Sequence, residues 1–597
     1  MFKNILTLSL LAGLLACSPE VQLQKDAAVF LQKYSEKYQQ LYYASARAEW
    51  KANTYIVEGD TATENRVQRA NEALAAFTGS KENIETARRF LKKKEHLTPI
   101  QLKQFQAILY EAANNPQTVA TVVQERIKAE SEQNKTLFGF NFKIDDRVVS
   151  TNDIDRILSE ETDPQKRLKA WEASKEVGRE LKQGLSRLQQ LRNKTVQALG
   201  YHDYFSYQVS DYGMSTDEMM AMNRRFIKEI WPLYRELHTY ARYALAEKYH
   251  RSVPDYLPAH WLPNRWGQDW SSLVEVKGID LNGVLEEKGA EWLVKQAERF
   301  YVSLGFPALP ASFYEKSSLY PAPPDAPYKK NNHASAWHLD LDKDIRSLMS
   351  VIPTAEWYET THHELGHIYY YISYSNPNVP LLLRGGANRA FHEAIGSMMG
   401  LAAMQKPFLE GLELIPPGTR TDKMQSLLKE ALNYIVFIPW SAGVMTSFEK
   451  ELYVDNLPAE AYNKKWWELK KRYQGIVPPT ERGEDFCDAA SKTHINNDAA
   501  QYYDYALSYI ILFQIHAHIA KNILHQEPQA TNYYGNKEVG RFLSGILSPG
   551  ATVDWRLLMR DALGEEISAR AMLDYFAPLM DWLKEQNKGR TYTLQPL

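Results

Sequence analysis

The sequence predicts an all-α protein: one large helical domain of two lobes, with very few short strands. Apolar residues recur at spacings of three and four positions, the pattern of amphipathic helices, over residues 26–49, 163–199, 216–249 and 427–452. Alternation typical of strands is scarce, and its clearest short example is 334–339. No internal repeat and no long low-complexity linker divides the chain, so a single domain is expected rather than two separable ones.

Composition limits the partners that the chain is expected to take. With 597 residues, of which 44% are hydrophobic and 24% charged, the chain can bury a substantial core. A net charge of −3 gives no reason to expect nucleic acid or an anionic membrane surface as a partner. The two cysteines, Cys17 and Cys487, cannot build a disulfide framework, so stability has to come from packing.

The amino terminus has the pattern of a secretory signal. Lys3 precedes an apolar run that is too short to span a bilayer, and Cys17 follows a small residue, as in the lipobox of bacterial lipoproteins. We therefore expect a signal peptide over 1–16 and a lipidated Cys17 with a tether over 17–25. Ser18 after the cysteine favours an outer-membrane lipoprotein that faces the periplasm. Contact with the membrane is then expected only through the lipid anchor. The alternative is a plain cleaved signal.

The segment from His363 to His367 is the strongest functional signal. It has the sequence His-Glu-Leu-Gly-His, which on a helix places two imidazoles one turn apart on the same face. Both can then bind one metal ion, and Glu364 faces the open side of that metal, where a water could be activated for hydrolysis. The alternative is a surface helix that happens to hold two histidines. The pattern favours a zinc site.

A third ligand is needed because a catalytic zinc usually takes three protein ligands. Glu393 follows His367 by 26 positions, in what is predicted to be the next helix. Turn residues occupy 375–378 and 384–388, so the chain can reverse and lay the second helix against the first. Glu393 is therefore the candidate ligand, and the alternative is an ordinary acid on a helix surface.

These motifs, with several others, resemble the angiotensin-converting enzyme (peptidyl-dipeptidase A) family of zinc metallopeptidases. The similar segments follow the family's order: 257–261, 268–270, 333–337, His363–His367, Phe391–Gly396, 466–467, 473–475 and 492–495. The resemblance spans roughly 20–589 and is specific because the motifs are independent. It implies a catalytic domain over 26–590 with a deep central cleft that contains one zinc ion per chain.

The resemblance implies a role for each matched residue. Zinc would be held by His363, His367 and Glu393, and Glu364 would act as the general base and acid. An oxyanion forms when water attacks a peptide carbonyl, and His494 with Tyr505 matches the family's donors to that oxyanion.

Substrate recognition is implied in the same way. Gln268, Lys492 and Tyr502 match the groups that bind a free C-terminal carboxylate. His333, Ala334 and Ser335 would hydrogen-bond the peptide backbone along an extended strand. The segment before Tyr505 is one residue longer than in the family, which leaves Tyr503 as a competitor of Tyr502.

Several residues depart from the family pattern. Ser397 stands where an aspartate supports a zinc histidine, so zinc affinity is lower or another acid takes its place. Asp504 stands where an arginine binds activating chloride, and a carboxylate repels that anion. Gln208 and Lys470 replace two other chloride-binding arginines, so chloride is not expected as a cofactor. Arg389, near a family proline, could pair with Asp504 and supply a fixed anion in place of chloride.

Together these features predict a zinc-dependent dipeptidyl carboxypeptidase that releases C-terminal dipeptides from oligopeptides. One alternative is a peptide-capture lipoprotein whose catalytic groups have decayed, but such a protein would not need Glu364, His494 and Tyr505 together. A single-residue carboxypeptidase or an endopeptidase is the alternative within enzymes, since pocket depth is not visible in a sequence.

Overall fold

The computed structural model of the protein describes residues 19–57, 59–276 and 281–596. The predicted signal peptide and Cys17 lie outside these residues, and helix already begins at Pro19, inside the predicted tether. The α-helices within these residues are α1 Pro19–Thr54, α2 Thr61–Thr78, α3 Lys81–Leu91, α4 Pro99–Asn114, α5 Ala120–Gly139, α6 Thr151–Glu160, α7 Pro164–Lys175, α8 Val177–Gln197, α9 Tyr204–Ser210, α10 Thr216–Lys248, α11 Asn282–Lys288, α12 Ala290–Leu304, α13 Ala311–Lys316, α14 Ala355–Tyr374, α15 Arg389–Ala403, α16 Lys406–Gly411, α17 Lys423–Ile438, α18 Thr446–Tyr453, α19 Tyr462–Leu469, α20 Thr493–Asn497, α21 Tyr503–His518, α22 Lys537–Leu547, α23 Trp555–Leu563, α24 Arg570–Tyr575 and α25 Ala577–Gln586.

Short strands form three small pairs in the described part of the chain. β1 (Phe142–Ile144) pairs antiparallel with β2 (Arg147–Val149), and β3 (Leu257–Pro258) pairs parallel with β6 (Ile476–Val477). β4 (Ser335–His338) pairs antiparallel with β5 (Ile345–Leu348), where the sequence predicts its clearest strand. The all-α prediction is therefore confirmed.

Two predicted helices are interrupted. The 163–199 stretch divides at Glu176 into α7 and α8. The 427–452 stretch contains a π-helical segment, Pro439–Met445, at a proline that has no N–H to donate. The whole stretch from Lys423 to Tyr453 is long and apolar enough to cross a membrane, yet 94% of its most apolar window is buried in the protein. That burial is typical of a core helix.

Helices α14 and α15 form the pair that carries the metal-binding motif. The Thr354 hydroxyl accepts the Trp357 N–H at the start of α14, and the Asn388 side chain accepts the Phe391 N–H at the start of α15. The two helices approach so closely that a Cβ on Gly366 would lie 3.0 Å from Gly396 Cα. The absence of a side chain on both glycines permits this approach. This approach brings the two halves of the metal motif together.

The first helices pack around a small core of their own. Leu31 and Tyr34 of α1 belong to one hydrophobic cluster with Phe90 of α3 and Phe105 of α4, apart from the large core that holds most other helices. Tyr38 continues the same face of α1, four residues after Tyr34. This packing fixes the orientation of the face of α1 that carries Tyr34 and Tyr38.

Candidate active site

His363, His367 and Glu393 converge on one point. Their ligand atoms all lie within 4.8 Å of one another. The Nε2 atoms of the two histidines are 3.1 Å apart, and Glu393 Oε2 lies 3.9 Å from His363 Nε2. Burial lowers the pKa of both histidines, which favours the neutral form that a metal ion requires. Two imidazole nitrogens and a carboxylate are a donor set that zinc prefers, so the residues fit the ion.

Glu364 lies beside this triad. It is 6% exposed, and its Oε2 has no hydrogen-bond partner among the described residues. Burial, followed by the nearby Glu393, raises the pKa of Glu364 to about 8. A divalent cation in the triad would oppose this rise by stabilising the carboxylate. Glu364 is thus placed to exchange a proton at the metal centre.

His494 and Tyr505 lie together as the sequence predicts. The His494 Nε2 atom is 3.3 Å from the Tyr505 hydroxyl. Burial, followed by Lys492, lowers the pKa of His494 to about 3, so the imidazole is neutral. A neutral imidazole and a phenol can both donate a hydrogen bond to a developing oxyanion.

Gln268, Lys492 and Tyr502 form a second group, which we call the carboxylate pocket. The Lys492 ammonium donates to Gln268 Oε1 at 2.9 Å, and the Tyr502 hydroxyl lies 3.5 Å from the same oxygen. The Tyr502 ring is 5.0 Å from the His494 ring, so the pocket adjoins the oxyanion donors. The structure brings all the predicted members of this pocket together.

Lys492 lacks a counterion in this pocket. It is 4% exposed, and its ammonium lies 4.2 Å from the Trp266 ring centroid. No carboxylate of the described residues comes within ion-pair distance of it. Burial, followed by the cation of Arg265, lowers the pKa of Lys492 to about 7. A bound anion would therefore be stabilised here.

Tyr503 faces another direction. Its ring packs edge-on against Phe205 at 5.9 Å and Tyr212 at 5.3 Å. Its buried hydroxyl has no hydrogen-bond partner in the described part of the chain. Tyr502, and not Tyr503, is therefore the tyrosine that lies beside Gln268.

His333 and Ala334 line a cavity of about 450 Å³ with His363 and Glu364. The His333 ring nitrogen Nδ1 lies 2.8 Å from the Ala334 carbonyl oxygen. Ser335 begins β4, and its hydroxyl accepts the Trp337 indole N–H at 2.9 Å. The predicted backbone-binding segment thus runs beside the metal centre, with the Ser335 hydroxyl engaged inside the strand.

Ser397 lines the same cavity. Within 19–57, 59–276 and 281–596, the one carboxylate within 4.0 Å of a His363 nitrogen is that of Glu393. Glu359 lies one turn before His363 on α14, lines the same cavity and was not predicted. A carboxylate four residues before a predicted ligand is a signal that could have identified it.

Arg389 joins three elements near Tyr505. Its Nε lies 2.7 Å from Asp504 Oδ2, which is the pairing suggested by their positions in the sequence. Its two Nη atoms lie 2.8 and 2.6 Å from the carboxylate of Asp498, which was not predicted. The guanidinium carbon is 5.9 Å from the Tyr505 ring centroid. The first residue of α15 is therefore tied to the end of α20 and the start of α21.

The other two predicted chloride positions are not neighbours. Gln208 is hydrogen-bonded to the hydroxyls of Tyr110 and Tyr204. Lys470 instead lines a cavity of about 10 Å³ with Lys175, whose charge helps to lower the pKa of Lys470 after burial. That volume holds about one water-sized particle. Lys175 was missed because no sequence spacing connects it to Lys470.

Comparison with known proteins agrees with this geometry. The family model described as angiotensin-converting enzyme matches residues 21–594. The angiotensin-converting enzyme of Theromyzon tessulatum is 28% identical, over 99% of this chain and 97% of its own length. The enzyme of Bos taurus is 32% identical over 67% of this chain, but only 31% of the bovine protein is covered. The angiotensin-converting enzyme-related protein of Drosophila melanogaster is 31% identical over 72% of this chain and 70% of its own length.

The family match covers nearly the whole described chain, and the zinc-type donor set lies inside it. The chain belongs to the angiotensin-converting enzyme family of zinc metallopeptidases.

Proposed function

We propose that this protein is a zinc-dependent dipeptidyl carboxypeptidase that removes C-terminal dipeptides from oligopeptides. The observation that carries the proposal is the carboxylate pocket beside His494 and Tyr505. A buried ammonium without a counterion stabilises a bound anion, and Gln268 and Tyr502 add neutral hydrogen-bonding groups. The free carboxylate of a peptide supplies the missing charge. Binding it there fixes which peptide bond reaches the metal centre.

The residues of the metal centre divide the chemistry among them. His363, His367 and Glu393 would hold zinc, which supplies a Lewis acid at the scissile carbonyl. Glu364 takes a proton from the attacking water and returns it to the leaving amine. His494 and Tyr505 donate hydrogen bonds where negative charge develops on the carbonyl oxygen, and their mutual contact keeps them in place.

We further propose that the oxyanion donors need no chloride beside them. Arg389 already contacts the carboxylates of Asp498 and Asp504, so its charge is neutralised within the protein. A chloride ion at this position would meet two fixed negative charges. The small cavity of Lys175 and Lys470 is a separate cationic site, and its lining residue Trp266 also contacts the Lys492 ammonium.

A product analysis tests the proposed reaction. The purified protein is incubated with an N-terminally blocked tripeptide, with and without a zinc chelator, and the products are identified by mass. Release of a dipeptide that the chelator abolishes is the expected result. Release of a single amino acid would support the carboxypeptidase alternative, and chelator-resistant cleavage would overturn the zinc mechanism.

We also propose that Cys17 carries a lipid that anchors the protein in the cell envelope. The proposal rests on the sequence of the signal and the cysteine alone. Expression of the full chain and of Cys17→Ser, followed by membrane fractionation, tests it. The wild type is expected in the membrane fraction and the variant in the soluble fraction, whereas identical fractionation would exclude the anchor.

A further inference from the structure

A second and larger cavity, of about 730 Å³, lies beside the first helices. We call it the tyrosine cavity and define it by Tyr34, Tyr38, Tyr42, Glu111, Asp211 and Tyr212. Its volume is in the range of pockets that hold small molecules or short peptides. Neither the metal chemistry nor the carboxylate pocket uses any of these residues.

Glu111 and Asp211 face this cavity without a cationic partner. Both are exposed residues, and neither makes an ion pair or a side-chain hydrogen bond with any residue in 19–57, 59–276 or 281–596. The pair is therefore short of positive charge.

The remaining charged residues that line the cavity are already engaged. The Lys103 ammonium donates to the Ala551 carbonyl oxygen at 3.1 Å, Arg384 pairs with Asp342 at 2.9 Å, Arg389 pairs with Asp498 and Asp504, and Asp554 pairs with Arg556 at 2.7 Å. None of these cations is paired with Glu111 or Asp211. A cationic ligand would therefore be the first ion-pair partner of the two carboxylates among the described residues.

Aromatic rings in the same cavity independently favour a cationic ligand. Tyr34, Tyr38 and Tyr42 follow one another on one face of α1, with ring centroids 6.2 and 5.8 Å apart. The hydroxyls of Tyr34 and Tyr212, residues that are 3% and 2% exposed, have no hydrogen-bond partner among the described residues. Aromatic faces beside carboxylates attract ammonium and guanidinium groups.

The tyrosine cavity is linked to the metal centre on one side. Tyr371 of α14 lies close enough to Tyr42, Glu364 and Glu393 that all three, after burial, raise the pKa of its hydroxyl. Arg389 lines the cavity at the start of α15, the helix that carries Glu393.

The carboxylate pocket is linked to the metal centre at another place. The Phe437 ring packs against Tyr502 at 6.0 Å and against Tyr509 at 5.2 Å. Tyr509 lines the cavity that contains His363, near the middle of α14. Tyr371 lies about two turns after His363 on this helix, so the tyrosine cavity and the carboxylate pocket approach the metal-binding helix at different places.

We propose that the tyrosine cavity binds an ammonium or guanidinium group of the substrate on the amino-terminal side of the scissile bond. Glu111 and Asp211 supply the charge, and the tyrosine rings enclose it. The inference rests on the proposed peptidase function, because that function orients the peptide with its carboxylate at Lys492. The cation can be the free amine of a short peptide or the side chain of lysine or arginine.

Three pentapeptides that share their last four residues separate these sources. One begins with norleucine and has a free amine, one with acetylated lysine, and one with acetylated norleucine. We expect the wild type to cleave one or both cationic peptides with a kcat/KM about tenfold above that of the neutral peptide, the effect of one charge-assisted contact. Preference for the free amine or for the lysine identifies the source of the cation.

The variants Glu111→Gln and Asp211→Asn, combined, test the residues. The preference is expected to fall to about one while the neutral peptide keeps its kcat/KM within about twofold. Asp554→Asn is the matched control, since it lines the same cavity, is paired with Arg556 and keeps a side chain that can cap α23. It should leave the preference unchanged.

Two outcomes would overturn the proposal: no preference in the wild type, or a preference that survives in the double variant. Binding is also measured by calorimetry with the same peptides on Glu364→Gln, which does not require turnover. If no peptide is cleaved by the wild type, the peptidase proposal fails, and calorimetry still decides whether Glu111 and Asp211 select a cation.

Discussion

The carboxylate pocket and the tyrosine cavity approach the metal-binding helix at different places and differ in both charge and construction. In the carboxylate pocket, a single buried lysine is held by a hydrogen bond to Gln268 and contacts tryptophan and tyrosine rings. In the tyrosine cavity, two carboxylates remain without hydrogen bonds from the described residues in a space of about 730 Å³. A small prearranged pocket fixes the position of a ligand, whereas a large one tolerates different ligands.

This difference matches the polarity of a peptide. In the proposed reaction, a peptide carries its negative charge at the carboxyl terminus, two residues from the bond to be cut. Its nearest positive charge varies with length and sequence. We infer that the rigid end of the site sets the register of cleavage, while the open end selects among substrates.

The largest effect is expected at the metal centre. Glu364→Gln should lower kcat by about a thousandfold, because the carboxamide cannot accept a proton from water. Zinc content, measured by mass spectrometry of metals, should stay at one per chain, and peptide binding should persist. An unchanged kcat would remove Glu364 from the mechanism, and lost zinc would show that it acts in metal binding.

Removing the charge of the carboxylate pocket should have the next largest effect. Lys492→Met leaves the substrate carboxylate without its cation, and kcat/KM should fall roughly 30- to 100-fold. The peptide amide of the same sequence should lose much less, since it has no charge to lose. The exposed Lys471→Met is the matched control. Equal losses for the acid and the amide would contradict the role of Lys492.

Much of the carboxylate side could be predicted from the sequence. The histidines at a spacing of four are fixed by helix geometry, and Glu393 follows from a reversal between two helices. The Gln268–Lys492–Tyr502 group was predicted by resemblance and is found together. Matching motifs work here because residues that bind one ligand, the proposed peptide carboxylate, are constrained to one arrangement.

The other side could not be predicted because its residues share no pattern. Glu111 lies on α4 and Asp211 just after α9, and neither helix has a motif that connects them. Their relation depends on how the first helices pack over the domain. Asp498 was missed for the same reason, since Arg389 reaches it across 109 positions of the chain. Such contacts arise from packing and are invisible to spacing.

The ion cluster of Arg389, Asp498 and Asp504 borders the tyrosine cavity. Arg389→Ala should lower kcat by roughly tenfold with little change in KM, because Tyr505 loses the ion cluster that holds the start of α21. Arg389→Lys should recover part of the loss. Arg384→Ala, which lines the same cavity but pairs with Asp342, is the control.

The dependence of activity on chloride tests the same ion cluster. Wild-type activity should not change by more than about twofold when sodium chloride replaces another salt at constant ionic strength. Asp504→Arg removes one of the two carboxylates that neutralise Arg389 and adds a second cation, so its activity should rise with chloride. A chloride-dependent wild type would contradict the proposed role of the ion cluster and direct attention to Lys175 and Lys470.

Among the conditions that change the charge of the two regions, pH should have a smaller effect than the substitutions above. Burial, then Arg265, lowers the pKa of Lys492 to about 7 in the free protein, so the ammonium is lost as the pH rises through that value. Only the protonated form attracts the substrate carboxylate. The ratio of kcat/KM for a free-carboxylate peptide to that for its amide should therefore fall severalfold between pH 6 and about pH 8. The titration of Glu364 affects both substrates equally and cancels in this ratio. A bound carboxylate stabilises the ammonium, so kcat itself should not show this fall.

Lys492→Arg should flatten the ratio, because a guanidinium stays charged throughout this range. A ratio that is flat in the wild type would mean that the carboxylate pocket does not depend on the charge of Lys492.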